Sequence, residues 1–158
     1  MNSHHTVAIG TWEGDKQQSI EYNSSIAVGI DCPRAKLRVS ILLDTIQEYQ
    51  VRYIFSDEEI SEAVNEAGLI IGARGIAYEG VLQRKPVIVV GEYGFGGLVT
   101  LDTLHEQYNN YFRGKINGIK AEYFSLERLE EEIRRGFALT FQELQMMSNQ
   151  TIRFLHNI

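Results

Sequence analysis

The sequence predicts a three-layer α/β/α domain built on a mostly parallel sheet. Two observations support this fold class. Short apolar runs alternate along the chain with segments in which apolar residues recur at helical spacing. The runs are continuous, as in parallel strands covered on both faces, whereas a strand with one face in water alternates between apolar and polar residues.

The strands are predicted from apolar runs that end at glycine, proline or polar residues. They cover residues 6–11, 25–30, 51–55, 69–71 and 87–90. Residues 12–23, between the first two runs, are polar and contain Gly14 and Asp15. We therefore expect a loop there, with or without a short helix.

The helices are predicted from apolar stripes and from end signals. Ser56 and Glu59 have the spacing of a capping box, and Gly68 ends the helix that follows. Further helices are expected from residue 35 onward and over residues 75–83, 101–112, 125–137 and 140–156. Helices and strands alternate, which favours one domain over residues 1–158.

Composition limits the class of partner. The 158 residues carry a formal net charge of -6, from 21 acidic and 15 basic side chains, which argues against nucleic-acid binding. No apolar run reaches the about 20 residues that span a bilayer, so we expect a cytoplasmic protein without a transmembrane segment. A single cysteine, Cys32, excludes an internal disulfide and is read as a packed or partly exposed thiol rather than a reactive one. No metal-binding cluster is apparent.

The turn at Arg74 and Gly75 is the first candidate binding site. Gly75 follows a strand and opens a helix, so backbone N–H groups there can approach an anion closely. Arg74 can add a bidentate contact to phosphate. Glu79 lies one helical turn later, where a carboxylate suits a pair of hydroxyl groups. Alternatively, the glycine is present only because the turn demands it.

A glycine-rich segment follows the strand at 87–90. Gly91, Gly94, Gly96 and Gly97 can form a nest of N–H groups for phosphate, or a flexible connection. The segment matches neither the dinucleotide-binding glycine motif nor the P-loop. The sequence therefore favours neither a dehydrogenase nor a P-loop nucleotidase.

These motifs resemble the C-terminal, donor-binding half of GT-B glycosyltransferases. That half combines an apolar strand, a small turn, a helix carrying a glutamate, and a Lys-Pro or Arg-Pro pair before the next apolar strand. Residues 67–72, 78–82 and 84–89 follow this order, and residues 92–100 resemble a glycine loop found in one bacterial branch. Residues 108–114 resemble the next segment of that branch, so the likeness covers roughly 56–136.

The resemblance implies a Rossmann-like half of a GT-B fold that binds a nucleotide-diphosphate sugar and no other cofactor. It implies that Glu79 binds the ribose hydroxyls. The diphosphate and sugar would meet the turn at Arg74, Gly75 and Ile76 and the glycine loop. The ligands predicted overall are Lys16, Arg74, Gly75, Ile76, Glu79, Gly94, Gly96 and Gly97.

The chain also departs from the family. Trp12 stands near an expected arginine, Gly68 and Gly80 replace an aspartate and an alanine, and Leu101 and Asp102 stand where a Pro-Glu pair is common. A GT-B enzyme needs two such domains. The chain is therefore expected to be an excised donor domain, a donor subunit with an acceptor-domain partner or a homo-oligomer, or a degenerate interaction module. Half of a nucleotide-sugar epimerase-like enzyme is a further alternative.

Overall fold

The computed structural model describes residues 4–9, 18–115 and 118–156. These residues form a two-stranded hairpin and a five-stranded sheet with its helices. The strands are β1 (His4–Ile9), β2 (Gln18–Asn23), β3 (Ser25–Gly29), β4 (Gln50–Tyr53), β5 (Leu69–Gly72), β6 (Val87–Gly91) and β7 (Gly94–Leu98). The helices are α1 (Pro33–Ile46), α2 (Ile60–Glu66), α3 (Gly75–Leu82), α4 (Leu104–Asn109), α5 (Leu126–Phe137) and α6 (Phe141–His156). The predicted α/β class with a mostly parallel sheet is confirmed.

The large sheet has the strand order β4-β3-β5-β6-β7, and only β7 runs antiparallel to its neighbour. Ile26 of β3 lies opposite Val51 of β4 and Leu69 of β5. From β3 the chain passes to the edge strand β4, and from β4 it crosses over β3 to reach β5 on the other side. The direction of winding therefore reverses at β3, and the ends of β3 and β5 lie side by side at that reversal.

Two clusters of buried residues explain why the central strands are apolar throughout. Ile26, Ile71 and Ile88 pack with residues of α1 and α5. The neighbours of these residues along the strands, such as Ala27 and Ile70, pack with residues of α2, α3 and α6. Successive residues of one strand thus belong to different clusters, so no position in these strands remains free for a polar side chain.

The expected loop at 12–23 is wrong where the structure describes it, because Gln18–Asn23 is a strand. It pairs with β1 in an antiparallel ladder that places His5 opposite Tyr22 and Val7 opposite Ile20. The first strand was expected in the parallel sheet, but it belongs to this separate hairpin. The alternation of polar and apolar residues from Ser19 to Tyr22 is the signal that indicates a hairpin strand.

The glycine-rich segment is also corrected, since Gly94–Leu98 forms the edge strand β7 instead of a loop. Glycine has a low strand propensity, which is why the sequence favours a loop. Close packing explains the strand: a Cβ on Gly96 would lie 2.8 Å from the Gln107 Oε1 atom and 3.1 Å from Val89. Gly94 and Gly97 also adopt φ values of 132° and 78°, which favour glycine.

Several element ends differ from the prediction. The helix expected at 101–112 is only α4, and the helix expected from Ser56 begins as a 3-10 turn before α2. Ser56 bonds to the Glu59 side chain at 3.2 Å, with no side-chain cap on the backbone. Ser125 does cap α5, accepting the Arg128 N–H at 3.1 Å. Among the helices described, none is both long and apolar enough to cross a bilayer.

Side chains cover the outer edge of β7. The Leu98 N–H donates to the buried Glu132 carboxylate at 2.7 Å, and Gln107 donates to the Gly96 carbonyl at 3.3 Å. Arg128 and Arg135 in turn bond to Glu132 at 3.1 and 3.2 Å. An edge covered in this way is protected against pairing with another chain.

We predict that Glu132→Ala lowers the free energy of unfolding by about 2–3 kcal/mol, because it leaves a buried strand N–H without an acceptor. Urea denaturation followed by circular dichroism measures the change. The matched control is Glu131→Ala on the same helix, which removes an exposed carboxylate paired with Arg134. Equal midpoints for the two variants would contradict the role assigned to Glu132.

Candidate functional site

A crevice of about 390 Å³ lies at the carboxyl ends of β3, β4, β5 and β6. Its lining residues are 29–32, 54–57, 60, 73–76, 91, 92 and 111. In an open α/β sheet, ligands bind where the winding direction reverses, because the loops after the two strands diverge there and leave a gap. The crevice occupies that position between β3 and β5.

Two helices begin at the crevice. Helix α1 starts at Pro33 directly after Cys32, and α3 starts at Gly75 directly after Arg74. Cys32, Arg74 and Gly75 all line the crevice. The first turn of a helix has N–H groups without intrahelical partners, and its dipole favours negative charge. The crevice therefore offers two convergent positions for an anion.

Arg74 has an unusual backbone conformation, with φ 59° and ψ -127°. A residue other than glycine in such a region carries about 1–3 kcal/mol of strain. Two hydrogen bonds hold it: the Arg74 N–H donates to the Phe112 carbonyl at 3.0 Å, and the Arg74 carbonyl accepts from the Tyr78 N–H at 2.9 Å. A sharp strand-to-helix turn of this kind exposes the side chain at its apex. The Arg74 side chain is accordingly half exposed at the crevice.

Gly75 is not required by the backbone. Its φ lies outside the left-handed region, and an added Cβ would meet only the Ile60 Cδ1 atom, at 3.8 Å. The conformation that favours glycine falls on Arg74 instead. The explanation that the turn demands a glycine therefore does not hold at position 75, and the missing side chain leaves space beside the start of α3.

Ile76 contributes to the crevice chiefly through its backbone. Its side chain is buried and packs over two strand-end glycines, Gly29 of β3 and Gly72 of β5. A Cβ on Gly72 would lie 2.6 Å from the Ile76 Cγ2 atom. These two glycines let α3 approach the strand ends, which brings its first turn to the crevice.

The charges around Arg74 are mixed. Glu92 Oε1 lies 3.5 Å from Arg74 Nη1 and 3.9 Å from Arg113 Nε. Arg113 also donates to the Tyr93 hydroxyl at 3.3 Å. This hydrogen bond is the largest cause of the raised pKa of Arg113, and the Glu92 charge contributes less. Asp31, Asp57 and Glu92 line the crevice, whereas Arg74 is the single cationic lining residue in the part of the chain that the structure describes. Such a lining suits a ligand that combines an anionic group with hydroxyl groups.

Glu79 lies outside the lining of the crevice. Its Oε2 atom accepts from Gln83 Nε2 at 2.7 Å, and Gln83 also donates to the Ser61 carbonyl at 3.2 Å. The carboxylate is thus held where α3 meets α2. The neighbouring Tyr78 packs near the rings of Tyr111 and Phe112, and burial is the main cause that raises its pKa.

The three predicted glycine ligands of β7 lie apart from Arg74. Gly96 and Gly97 line a second cavity of about 440 Å³ at the β7 edge, together with Gln107 and Glu132. Gly94 is buried, and a Cβ there would lie 2.8 Å from the Ile119 carbonyl oxygen. The glycines of β7 therefore do not meet the turn at Arg74. Lys16 and Trp12 lie outside the described residues.

Two basic residues follow β3, the first strand of the parallel sheet: Arg34 and Lys36 lie in the first turns of α1. Arg34 pairs with Glu122 at 3.2 Å, away from the crevice lining. The Lys36 ammonium lies 4.1 Å from the centre of the Phe55 ring, and Phe55 itself lines the crevice.

Sequence reasoning missed several lining residues: Asp31, Cys32, Phe55, Glu92 and Tyr111. Four of them follow a β-strand closely, and the rule that ligands bind at the carboxyl ends of parallel strands would have indicated those four. Cys32 before Pro33 is also a helix start, since proline is favoured at the first helical position. Among the described residues, no group of three or more His, Cys, Asp and Glu side chains is arranged to hold a metal ion.

The chain matches no protein-family model, no curated protein sequence and no solved structure. Its resemblance to GT-B glycosyltransferases therefore rests on the sequence motifs alone.

We predict that Arg74→Gly raises the free energy of unfolding by about 1 kcal/mol, because glycine adopts this backbone conformation without strain. Thermal and urea unfolding measure the effect. Arg84→Gly is the comparison, since Arg84 has φ 62° at the other end of α3 and does not line the crevice. A destabilised Arg74→Gly protein would show that the arginine turn is not strained.

Proposed function

We propose that this domain binds a nucleotide-diphosphate sugar in the crevice, as the donor-binding domain or subunit of a glycosyltransferase. The observation that carries the proposal is the start of α1 and of α3 on either side of a switch-point crevice, with Arg74 at its mouth. In this proposal a layer of helices lies on each face of the sheet, with one buried cluster between each layer and the sheet. The domain is then one Rossmann-like half of a GT-B fold.

The size and lining of the crevice are compatible with such a donor. Its volume of about 390 Å³ falls in the range of about 300–1,000 Å³ for small-molecule sites. The diphosphate would lie at the helix starts beside Arg74, and the carboxylates of Asp31 and Asp57 would accept from hydroxyl groups. Exposed rings of Phe55 and Tyr111 line the same crevice and offer stacking surfaces for a base.

The chemistry would be transfer of a hexosyl group from the donor to an acceptor hydroxyl. The bond between the anomeric carbon and the diphosphate breaks, and negative charge grows on the departing phosphate oxygen. Arg74 and the N–H groups of Gly75 and Ile76 would stabilise that charge. The acceptor and a base for its proton would come from a second domain, so this domain alone is expected to bind donor without turning it over.

A degenerate interaction module is the second candidate, and two contacts favour it. Glu92 already lies beside Arg74, and Gln83 already holds Glu79. Both residues that the resemblance assigns to the donor are thus engaged within the chain. In this alternative the fold persists while the crevice has lost its affinity for nucleotides.

We predict saturable binding of UDP, GDP or UDP-GlcNAc to the domain in isothermal titration calorimetry, weakened at least tenfold in Arg74→Ala. The physical reason is the loss of a charge-assisted contact to phosphate. Arg84→Ala is the matched control, an exposed positive-φ arginine at the far end of α3, and its affinity should equal that of the wild type. Absence of binding at millimolar ligand, also after addition of a candidate acceptor-domain partner, would favour the interaction module.

Gly75→Ala gives an independent test of the backbone contact. We expect the variant to be as stable as the wild type or up to about 1 kcal/mol more stable, because alanine is the better helix residue and its Cβ makes only an ordinary van der Waals contact with Ile60, at 3.8 Å. Nucleotide affinity should nevertheless fall at least fivefold, since the methyl group blocks approach to the start of α3. Unchanged affinity in the titration would place the phosphate elsewhere.

A further inference from the structure

We infer that Glu92 is a specificity-determining residue with two positions: it pairs with Arg74 in the free domain and moves to Arg113 when a ligand phosphate takes Arg74. This inference rests on the proposed function, because it requires a phosphate-bearing ligand in the crevice. It assigns a role to Glu92, which the resemblance only includes in the glycine loop at 92–100.

The ion pairs that Glu92 forms with Arg74 and Arg113 are long. The distances from Glu92 Oε1 to Arg74 and Arg113, 3.5 and 3.9 Å, exceed the 2.7–2.9 Å typical of a charge-assisted hydrogen bond. Half of the Glu92 side chain is exposed. Exposed ion pairs without close hydrogen bonds contribute little to stability, so displacing this carboxylate from Arg74 costs little.

A ligand phosphate and the Glu92 carboxylate would compete for Arg74. Among the lining residues that the structure describes, Arg74 is the single cation, so a phosphate in the crevice is drawn to the guanidinium that Glu92 now approaches. Two anions sharing one exposed guanidinium repel each other. The carboxylate must therefore move away as the phosphate arrives, and any ligand too weakly charged to displace it is disfavoured.

Arg113 provides a second position for the Glu92 carboxylate. Arg113 Nε is buried and has no hydrogen-bond partner among the described residues. A buried N–H group without a partner is costly and calls for an explanation. The Glu92 carboxylate is already the nearest charge to it, at 3.9 Å, and a shift of about 1 Å toward Arg113 would complete a hydrogen bond. Donation from Arg113 to the Tyr93 hydroxyl keeps the guanidinium in place for that contact.

The test is a double-mutant cycle on UDP affinity, measured by isothermal titration calorimetry. Glu92→Gln removes the competing charge at nearly constant size, and we expect affinity to rise five- to tenfold. Arg113→Met removes the second position of the carboxylate, and we expect a three- to tenfold loss that disappears when combined with Glu92→Gln. Glu106→Gln on α4 is the charge control, an exposed carboxylate that does not line the crevice.

The outcomes separate this inference from the proposed function. If wild type binds UDP and Glu92→Gln binds equally or less well, Glu92 is not a competitor, although the donor site stands. If the Arg113→Met loss persists in the double variant, Arg113 acts on the ligand directly and the two-position mechanism is overturned. If no variant binds UDP, both proposals fail together. NMR of the Arg113 Nε–H group gives a second readout: added UDP should slow its exchange with water in the wild type and not in Glu92→Gln.

Discussion

The parallel pairing of β3 with β4 on one side and with β5 on the other is the constraint on which the rest of the structure depends. Strand β3 lies between β4 and β5. The chain therefore turns toward β4 after β3 and toward β6, on the opposite side, after β5. Helices α1 and α3 consequently start on either side of one gap. The crevice follows from strand order alone, and the residues at the strand ends decide only which chemistry it offers.

Within that crevice Arg74 and Gly75 break the local rules of structure. Arg74 occupies a backbone conformation that favours glycine, while the adjacent Gly75 occupies one that any residue can adopt. Exchanging the two residue types would relax the turn, so stability does not explain the order in which they occur. Violations of this sort concentrate at binding sites, where an exposed charge and an uncovered helix start are worth more than a relaxed turn.

What the sequence could predict depended on the range of the interactions involved. The strands at 69–71 and 87–90 were found because every residue in them is apolar, and α5 because Leu126, Leu129 and Ile133 recur at helical spacing. Strand β7 was missed because its glycines are explained by distant neighbours, such as Gln107 against Gly96. Arg74 was found from the turn it forms. Phe55 and Glu92 each follow a strand, but the strand order decides which strand ends share one crevice, and Tyr111 reaches it from the segment after α4.

The charge balance of the crevice bears on whether the domain acts alone. Two helix starts contribute about half a unit of positive charge each, and Arg74 adds one. Against them stand the three carboxylates of Asp31, Asp57 and Glu92. A diphosphate entering this arrangement gains little until Glu92 turns to Arg113, because the charge of that carboxylate is then taken up by a second guanidinium and Arg74 is left for the ligand. The balance after that movement is still modest. In the proposed function, further positive charge would come from a second domain, as is expected for one half of a two-domain transferase.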